Sequence, residues 1–330
     1  PPPPSTPMRI FRAMMFGGGG GGGVLSSSSS REALRSQLVA TLERRSETLD
    51  LAHDARKDYE TASSPRVRLR DGAALRRAFK ERGHAILEDV DLMEAEDAQV
   101  DALIEASEEY REVGPETVIG KMPLGKATSV ELRFRNDRLE PPSVFEDLAR
   151  RLATVARRVV EAIDPALLAY ADGDAQSPDS SSSLRVYRYE AGSRNELFSH
   201  TDNAFVTLVP KTSVPGLLVF DPSLGVWLSP NDGVLALPGE FTDLLTSGEY
   251  PATVHRVLAL ERRYSTPFLL RENRARDVAG IPMQHVGKAL RFGEDRDGAL
   301  AFLDGFDDAG NSETAHEAYY TTLEKTSEQI

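Results

Sequence analysis

His200-Thr-Asp202, then His255, then Arg263-Tyr-Ser265 are the residues whose types and order can do chemistry in this chain. Two imidazoles and one carboxylate make a three-ligand face suited to Fe(II), with coordination positions left open for oxygen and a substrate. Alternate residues of a strand project to one face, so His200 and Asp202 are expected to point together and Thr201 away from them. His255 lies within the apolar stretch Val254-His-Arg-Val-Leu258 and can bring a third ligand from a separate strand. By the same period, Arg263 and Ser265 share a face. A guanidinium makes paired, charge-assisted contacts with a carboxylate, and the serine hydroxyl adds a donor. Tyr189 can supply another, from a strand Leu184–Tyr189 that places Arg185, Tyr187 and Tyr189 together. Each piece alone is common; the set points to iron beside the carboxylate of a keto acid. His53, His84, His285 and His316 lack a carboxylate two residues on and read as structural or surface histidines.

The elements that must hold these residues fall into two parts. From Glu32 to about Tyr59 the sequence is charged and helical, and Asp71 to Arg82 reads as a helix stopped by Gly83, with a strand from His84 to Leu87. Leu92 to Tyr110 reads as an acidic amphipathic helix, Gly114 to Asn136 as a loop or hairpin, and Pro142 to about Leu168 as a strong helix. Asp172 to Ser183 reads as a polar loop. Beyond it the period becomes that of strands, in Leu184–Tyr189, Phe205–Val209, Gly216–Phe220, Val226–Leu228, Gly233–Leu237, Val254–Leu260 and Tyr264–Leu270. Many short strands at close spacing indicate a sandwich or barrel. The expected organisation is a low-complexity tail or targeting segment (1–30), a helical N-terminal region (31–180), a β core (181–275) and a C-terminal helical tail (276–330) with a helix from about Glu313 to Lys325.

Bulk composition bounds the rest. The chain has 330 residues, no cysteine and a net charge of −13; the lack of thiols excludes disulfide frameworks and thiolate metal sites, and the charge argues against general binding to nucleic-acid backbones or anionic lipid while leaving room for a local basic patch. A cytoplasmic location is expected from the absence of cysteine. The first 30 residues, with Gly17–Gly23 and Ser26–Ser30 tracts and no acidic residue, also share the composition of an organelle transit segment.

Leu184-Arg-Val-Tyr-Arg-Tyr189, His200-Thr-Asp202, Thr207-Leu208, Gly216-Leu217, Trp227, Gly239, His255-Arg256-Val257 and Arg263-Tyr-Ser265 together resemble the Fe(II)/2-oxoglutarate-dependent dioxygenases. The resemblance is to the subgroup of isopenicillin N synthase, and it covers roughly Leu184 to Leu270. It implies a double-stranded β-helix, or jelly-roll, core flanked by N-terminal helices and a C-terminal helical tail. It implies iron bound by His200, Asp202 and His255. It implies 2-oxoglutarate held by Arg263 and Ser265 with Tyr189 assisting, and ascorbate as a reductant. The partners implied are molecular oxygen and a small organic substrate, oxidised by hydroxylation, desaturation or ring closure as 2-oxoglutarate becomes succinate and CO2.

Three departures from that pattern stand out. Tyr187 occupies a position where the family often has Asn, Gly239-Glu240 replaces Gly-Asp, and Glu190 to Asn195 replaces a Pro-rich turn. An oxidase on the same scaffold that needs no keto acid, a non-catalytic jelly-roll binding protein and a zinc hydrolase remain alternatives.

Overall fold

The computed structural model describes residues 27–55, 63–90, 92, 95–109, 111–114, 117–124, 126–136, 138–173, 179–194, 199–292 and 296–304. Helix α1 runs from Ser27 to Asp54, so Ser27–Ser30 begin a helix rather than end a tail. Four serines tolerate this because a long, packed helix overrides weak local preference. Helix α2 (Gly72–Arg82) follows the expected signals: the Asp71 side chain accepts from the Ala74 N–H, and Gly83 closes the helix at φ 74°. Helix α3 spans only Asp97–Ala106, shorter than the charge pattern implied, because Glu96 caps it and Ser107 is extended. Helix α4 (Glu146–Ile163) buries Ala149, Leu152, Ala153, Ala156, Val159, Val160 and Ile163 along one stripe. Helices α5 (Glu240–Leu245), α6 (Met283–Phe292) and α7 (Arg296–Asp304) come later. The helix expected over 313–325 lies outside the described residues.

The strands are β1 (Arg66–Val67), β2 (Ala85–Leu87), β3 (Arg111–Gly114), β4 (Thr117–Leu124), β5 (Ala127–Arg135), β6 (Arg138–Glu140), β7 (Asp179–Tyr189), β8 (Ser193–Arg194), β9 (Val206–Val209), β10 (Leu217–Asp221), β11 (Val226–Leu228), β12 (Val234–Pro238), β13 (His255–Ala259), β14 (Arg263–Ser265), β15 (Phe268–Leu270), β16 (Asp277–Val278) and β17 (Ile281–Pro282). The large sheet has the order β1-β2-β12-β9-β15-β7-β5-β4-β3, with β14 on β7 and β6 on β5. The smaller sheet is β11-β10-β13-β8.

Period-two alternation assigns each face. Leu184 and Val186 of β7, Val206 and Leu208 of β9, Val234 and Ala236 of β12 and Phe268 and Leu270 of β15 pack with the helices in one core. Tyr187, Tyr189, Val209, Leu235 and Leu237 pack with Leu217 and Val219 of β10 and Val257 and Ala259 of β13 in a second core between the sheets. The outer face of the small sheet buries Leu218, Phe220, Trp227 and Val254 against Ala52 at the end of α1, where the Trp227 indole donates to the Ala52 carbonyl at 2.8 Å. This two-sheet sandwich is the jelly roll expected from the sequence.

Of the two forms expected for Gly114 to Asn136, loop or hairpin, the structure has the hairpin: β4 and β5 pair antiparallel, and β5 pairs with β7 along most of its length. Its Val130, Leu132 and Phe134 are buried on the helical side, while Ala127, Ser129, Glu131 and Arg133 alternate to the interior. Val130-Glu-Leu-Arg-Phe134 has the period-two alternation of a strand, but its polar face turns inward rather than to solvent. One region differs from the sequence reading: the serine run 180–183, read as loop because it has no apolar position, lies in the first half of β7.

Candidate metal centre

His255 is the first residue of β13, and period two sends its ring inward with Val257 and Ala259. His200 and Asp202 are not in a regular strand. His200 forms a single antiparallel bridge to His255, with His200 N–H to His255 O at 3.0 Å and His255 N–H to His200 O at 2.9 Å. The chain then turns, and the Asp202 carbonyl accepts from both Ala204 and Glu240. The side chains converge nonetheless: ligand atoms of His200, Asp202 and His255 lie within 4.8 Å of one another. His255 Nε2 is 3.5 Å from Asp202 Oδ2 and His200 Nε2 is 3.9 Å from Asp202 Oδ1.

The surroundings fix these groups as a metal would need them. The His255 Nδ1–H points at the Thr253 carbonyl at 3.1 Å, which leaves Nε2 to face the cluster. The Thr207 hydroxyl donates to Asp202 Oδ2 at 2.6 Å. Burial alone would raise the Asp202 pKa; His255, His200, the Thr207 hydroxyl and Arg185 outweigh it and bring the carboxyl below its ordinary range. An ionised carboxylate beside two imidazoles is a donor set for a divalent first-row metal with open positions.

The loop carrying Asp202 is itself held from α5. Gly239 packs so closely that a Cβ there would sit 2.2 Å from the Ala204 carbonyl oxygen. Glu240 is buried, accepts from the Thr201 hydroxyl at 2.6 Å and the Asn203 amide at 3.2 Å, and pairs with Arg45 of α1 at 3.0 Å. The Glu240-for-Asp departure thus has a partner in the N-terminal helix. Sequence reasoning missed Glu240 and Arg45 as supports, because nothing local links positions so far apart.

Arg263 and Ser265 lie on β14, whose register sets Arg263 opposite Tyr189 and Ser265 opposite Tyr187. The four side chains expected to share a face therefore do. Arg263 is 1% exposed, its Nη1 has no hydrogen-bond partner, and its Nε makes only a 3.4 Å contact to the Val214 carbonyl. The guanidinium carbon stands 5.2 Å from the Tyr189 ring centroid. Gly216 lets it pass, since a Cβ there would lie 2.8 Å from Arg263 Cδ. Burial lowers the Arg263 pKa, with Tyr189 acting the other way. Burial, then Tyr187, raises the pKa of the Tyr189 phenol, so it stays a neutral donor. A buried guanidinium with an unused N–H is a cradle for an anion.

Residues 180–272 match the model of the 2OG-Fe(II) oxygenase superfamily. The matched stretch, β7 to β15, is similar to that superfamily and makes up less than half of the chain. Solved structures agree on the fold. The rice dioxygenase for auxin oxidation is 20% identical over 63% of this chain and 83% of its own, with a TM-score of 0.50. A Shewanella oneidensis protein assigned as an oxygenase is 19% identical over 70% of this chain and 99% of its own, with a TM-score of 0.51. No curated protein matches the sequence. The oxygenase superfamily requires Fe(II) and 2-oxoglutarate, and the His-Asp-His cluster and the Arg263 cradle both fit such a pair. Among the described residues no helix is long and apolar enough to cross a membrane.

Proposed function

We propose that His200, Asp202 and His255 hold Fe(II), that Arg263 and Ser265 with Tyr189 hold the distal carboxylate of 2-oxoglutarate, and that the enzyme oxidises a small organic acceptor. The observation that carries this reading is the presence of two features on the facing sheets: a three-ligand cluster at β13 and its bridged loop, and on β14 a buried guanidinium with a free N–H. When bound, the iron and its keto acid supply oxygen activation, with 2-oxoglutarate converted to succinate and CO2 as a substrate C–H bond is oxidised.

The protein's own residues account for binding and orientation. Thr207 and the backbone of Thr253 fix the ligand rotamers, so the cluster needs little rearrangement to take a metal. Arg263 supplies a planar, charge-assisted contact that an ammonium cannot copy, and the Ser265 hydroxyl stands on the same face beside Tyr187. Burial of Arg263, Tyr187 and Tyr189 excludes water from that end, which strengthens each polar contact with the co-substrate. Hydroxylation, desaturation and ring closure all lie within this chemistry.

The test is succinate formation from 2-oxoglutarate by the full chain with Fe(II) and ascorbate under air, beside Asp202→Ala. Succinate that needs iron and disappears in the variant is expected. Succinate at the same rate in Asp202→Ala would exclude this ligand set, and oxygen consumption independent of 2-oxoglutarate would point to a keto-acid-independent oxidase.

A further inference from the structure

The interior face of β7 continues past Tyr187 and Tyr189 to Arg185 and Ser183, away from Arg263. In register, Glu131 of β5 stands opposite Arg185, while Arg133 of β5 and Leu269 of β15 flank Ser183. Arg271, two residues beyond Leu269, falls on the same face, and its backbone N–H donates to the Ser182 hydroxyl at 3.0 Å. Arg133, Arg185 and Arg271 therefore share this end of the inward sheet face with one carboxylate. Glu131 is saturated, with one oxygen paired to Arg133 and the other to Arg185 Nε at 3.1 Å.

Arg271 has no such partner. It is 5% exposed, and its Nε is buried without a hydrogen bond; among the described residues its guanidinium makes no ion pair. Ser183 Oγ is a second buried atom there without a partner. The charges that weigh most on Arg271 act mostly against it: after burial itself, Arg291, Arg185 and Arg133 lower its pKa, and Glu131 raises it. Glu272 follows it in the chain but projects the other way, toward Gly287. A buried charge left unpaired is costly, so it persists only where a ligand balances it or a function requires it.

This charge is not needed for 2-oxoglutarate. A keto acid held at Arg263 by one carboxylate and on the metal by the other has no anionic group left for Arg271. Arg185 lies between the two ends, near enough to Asp202 for each to shift the other's pKa. We infer that the organic substrate is a small carboxylic acid whose carboxylate is bound by Arg271, with Ser183 donating beside it and Arg133 and Arg185 held ready by Glu131. The inference rests on the iron and 2-oxoglutarate assignment above and names the substrate class of that same enzyme site.

The full chain, loaded anaerobically with Fe(II) and 2-oxoglutarate, would be titrated at constant ionic strength with acetate, benzoate and phenylacetate and with their primary amides. The visible charge-transfer absorption of the iron chelate and the Tm are read together. An acid is expected to perturb the absorption and raise Tm where its amide does neither. Arg271→Met is expected to keep the chelate absorption, to show a higher Tm than wild type without acid, and to bind the acid roughly 100-fold more weakly. The higher Tm follows because an apolar side chain of similar length removes an uncompensated buried charge. Equal response to acid and amide, no response to any of the three acids, or a lower Tm in Arg271→Met would each overturn the inference while leaving the iron assignment intact. Absence of the chelate absorption before any acid is added would remove the iron assignment and this inference with it.

Discussion

Gly239→Ala is the substitution that most directly tests how the metal loop is built. Gly239 has φ −108° and ψ −177°, a conformation any residue adopts, so alanine adds no backbone strain. The effect is purely steric. The new Cβ would meet the Ala204 carbonyl oxygen at 2.2 Å and the Asp202 carbonyl oxygen at 2.8 Å, whereas real contacts of this kind essentially never fall below 3.0 Å. Both obstacles are backbone, so no side chain can swing aside, and the 202–204 segment or α5 must move by about 0.8 Å. Overpacking of this kind costs about 1–3 kcal/mol in stability. A displacement near 1 Å in a positioned ligand is worth on the order of 100-fold in rate. The expected result is a folded protein with a lower Tm, weaker Fe(II) binding in anaerobic competition with a chelator, and succinate formation reduced by about two orders of magnitude. Gly233→Ala is the control for overpacking alone, because its close contact at 2.7 Å is the Ile86 side chain on β2 rather than the backbone of the Asp202 loop. If Gly239→Ala binds Fe(II) and turns over like wild type, the claim that α5 positions the Asp202 loop is wrong.

Two further outcomes follow from the geometry. Arg263→Lys is expected to raise the KM for 2-oxoglutarate by about 10–100-fold, the worth of one lost hydrogen bond between charged groups, with Fe(II) affinity unchanged; unchanged KM in steady-state assays would place the co-substrate carboxylate elsewhere. His84 is fully buried, and burial lowers its pKa below the ordinary histidine value, with the Arg82 carbonyl and Asp221 opposing. The unfolded chain therefore binds the extra proton more readily, and this contribution to stability is complete above the ordinary pKa and declines as pH falls below it. Urea midpoints taken between about pH 7.5 and pH 5.5 should fall more steeply for wild type than for His84→Gln; identical slopes would refute the assignment.

The site was legible in sequence to the extent that residue type and short spacing carry chemistry. His200-Thr-Asp202 and Arg263-Tyr-Ser265 are local patterns, and strand period two places Arg263, Ser265, Tyr187 and Tyr189 on one face without further information. The apolar stripe of α4 and the caps Asp71 and Gly83 were equally local. The support of the metal loop was not. Glu240 meets Arg45 across most of the chain, and such pairing depends on where α1 docks, which no spacing encodes.

The interior polar end of the cavity was hidden for a different reason. The serine run at the start of β7 has no apolar position to mark a strand, and the polar face of the alternating stretch Val130–Phe134 would ordinarily meet solvent, so its inward direction is not written in the sequence. Sequence by itself determined the jelly-roll class and the ligand types, because these depend on periodicity and side-chain chemistry. Only the tertiary structure decided which charges are compensated. Glu131 is shared between Arg133 and Arg185 while Arg271 is left unpaired, and that follows from strand register and burial, which set the cost of every charge in the cavity.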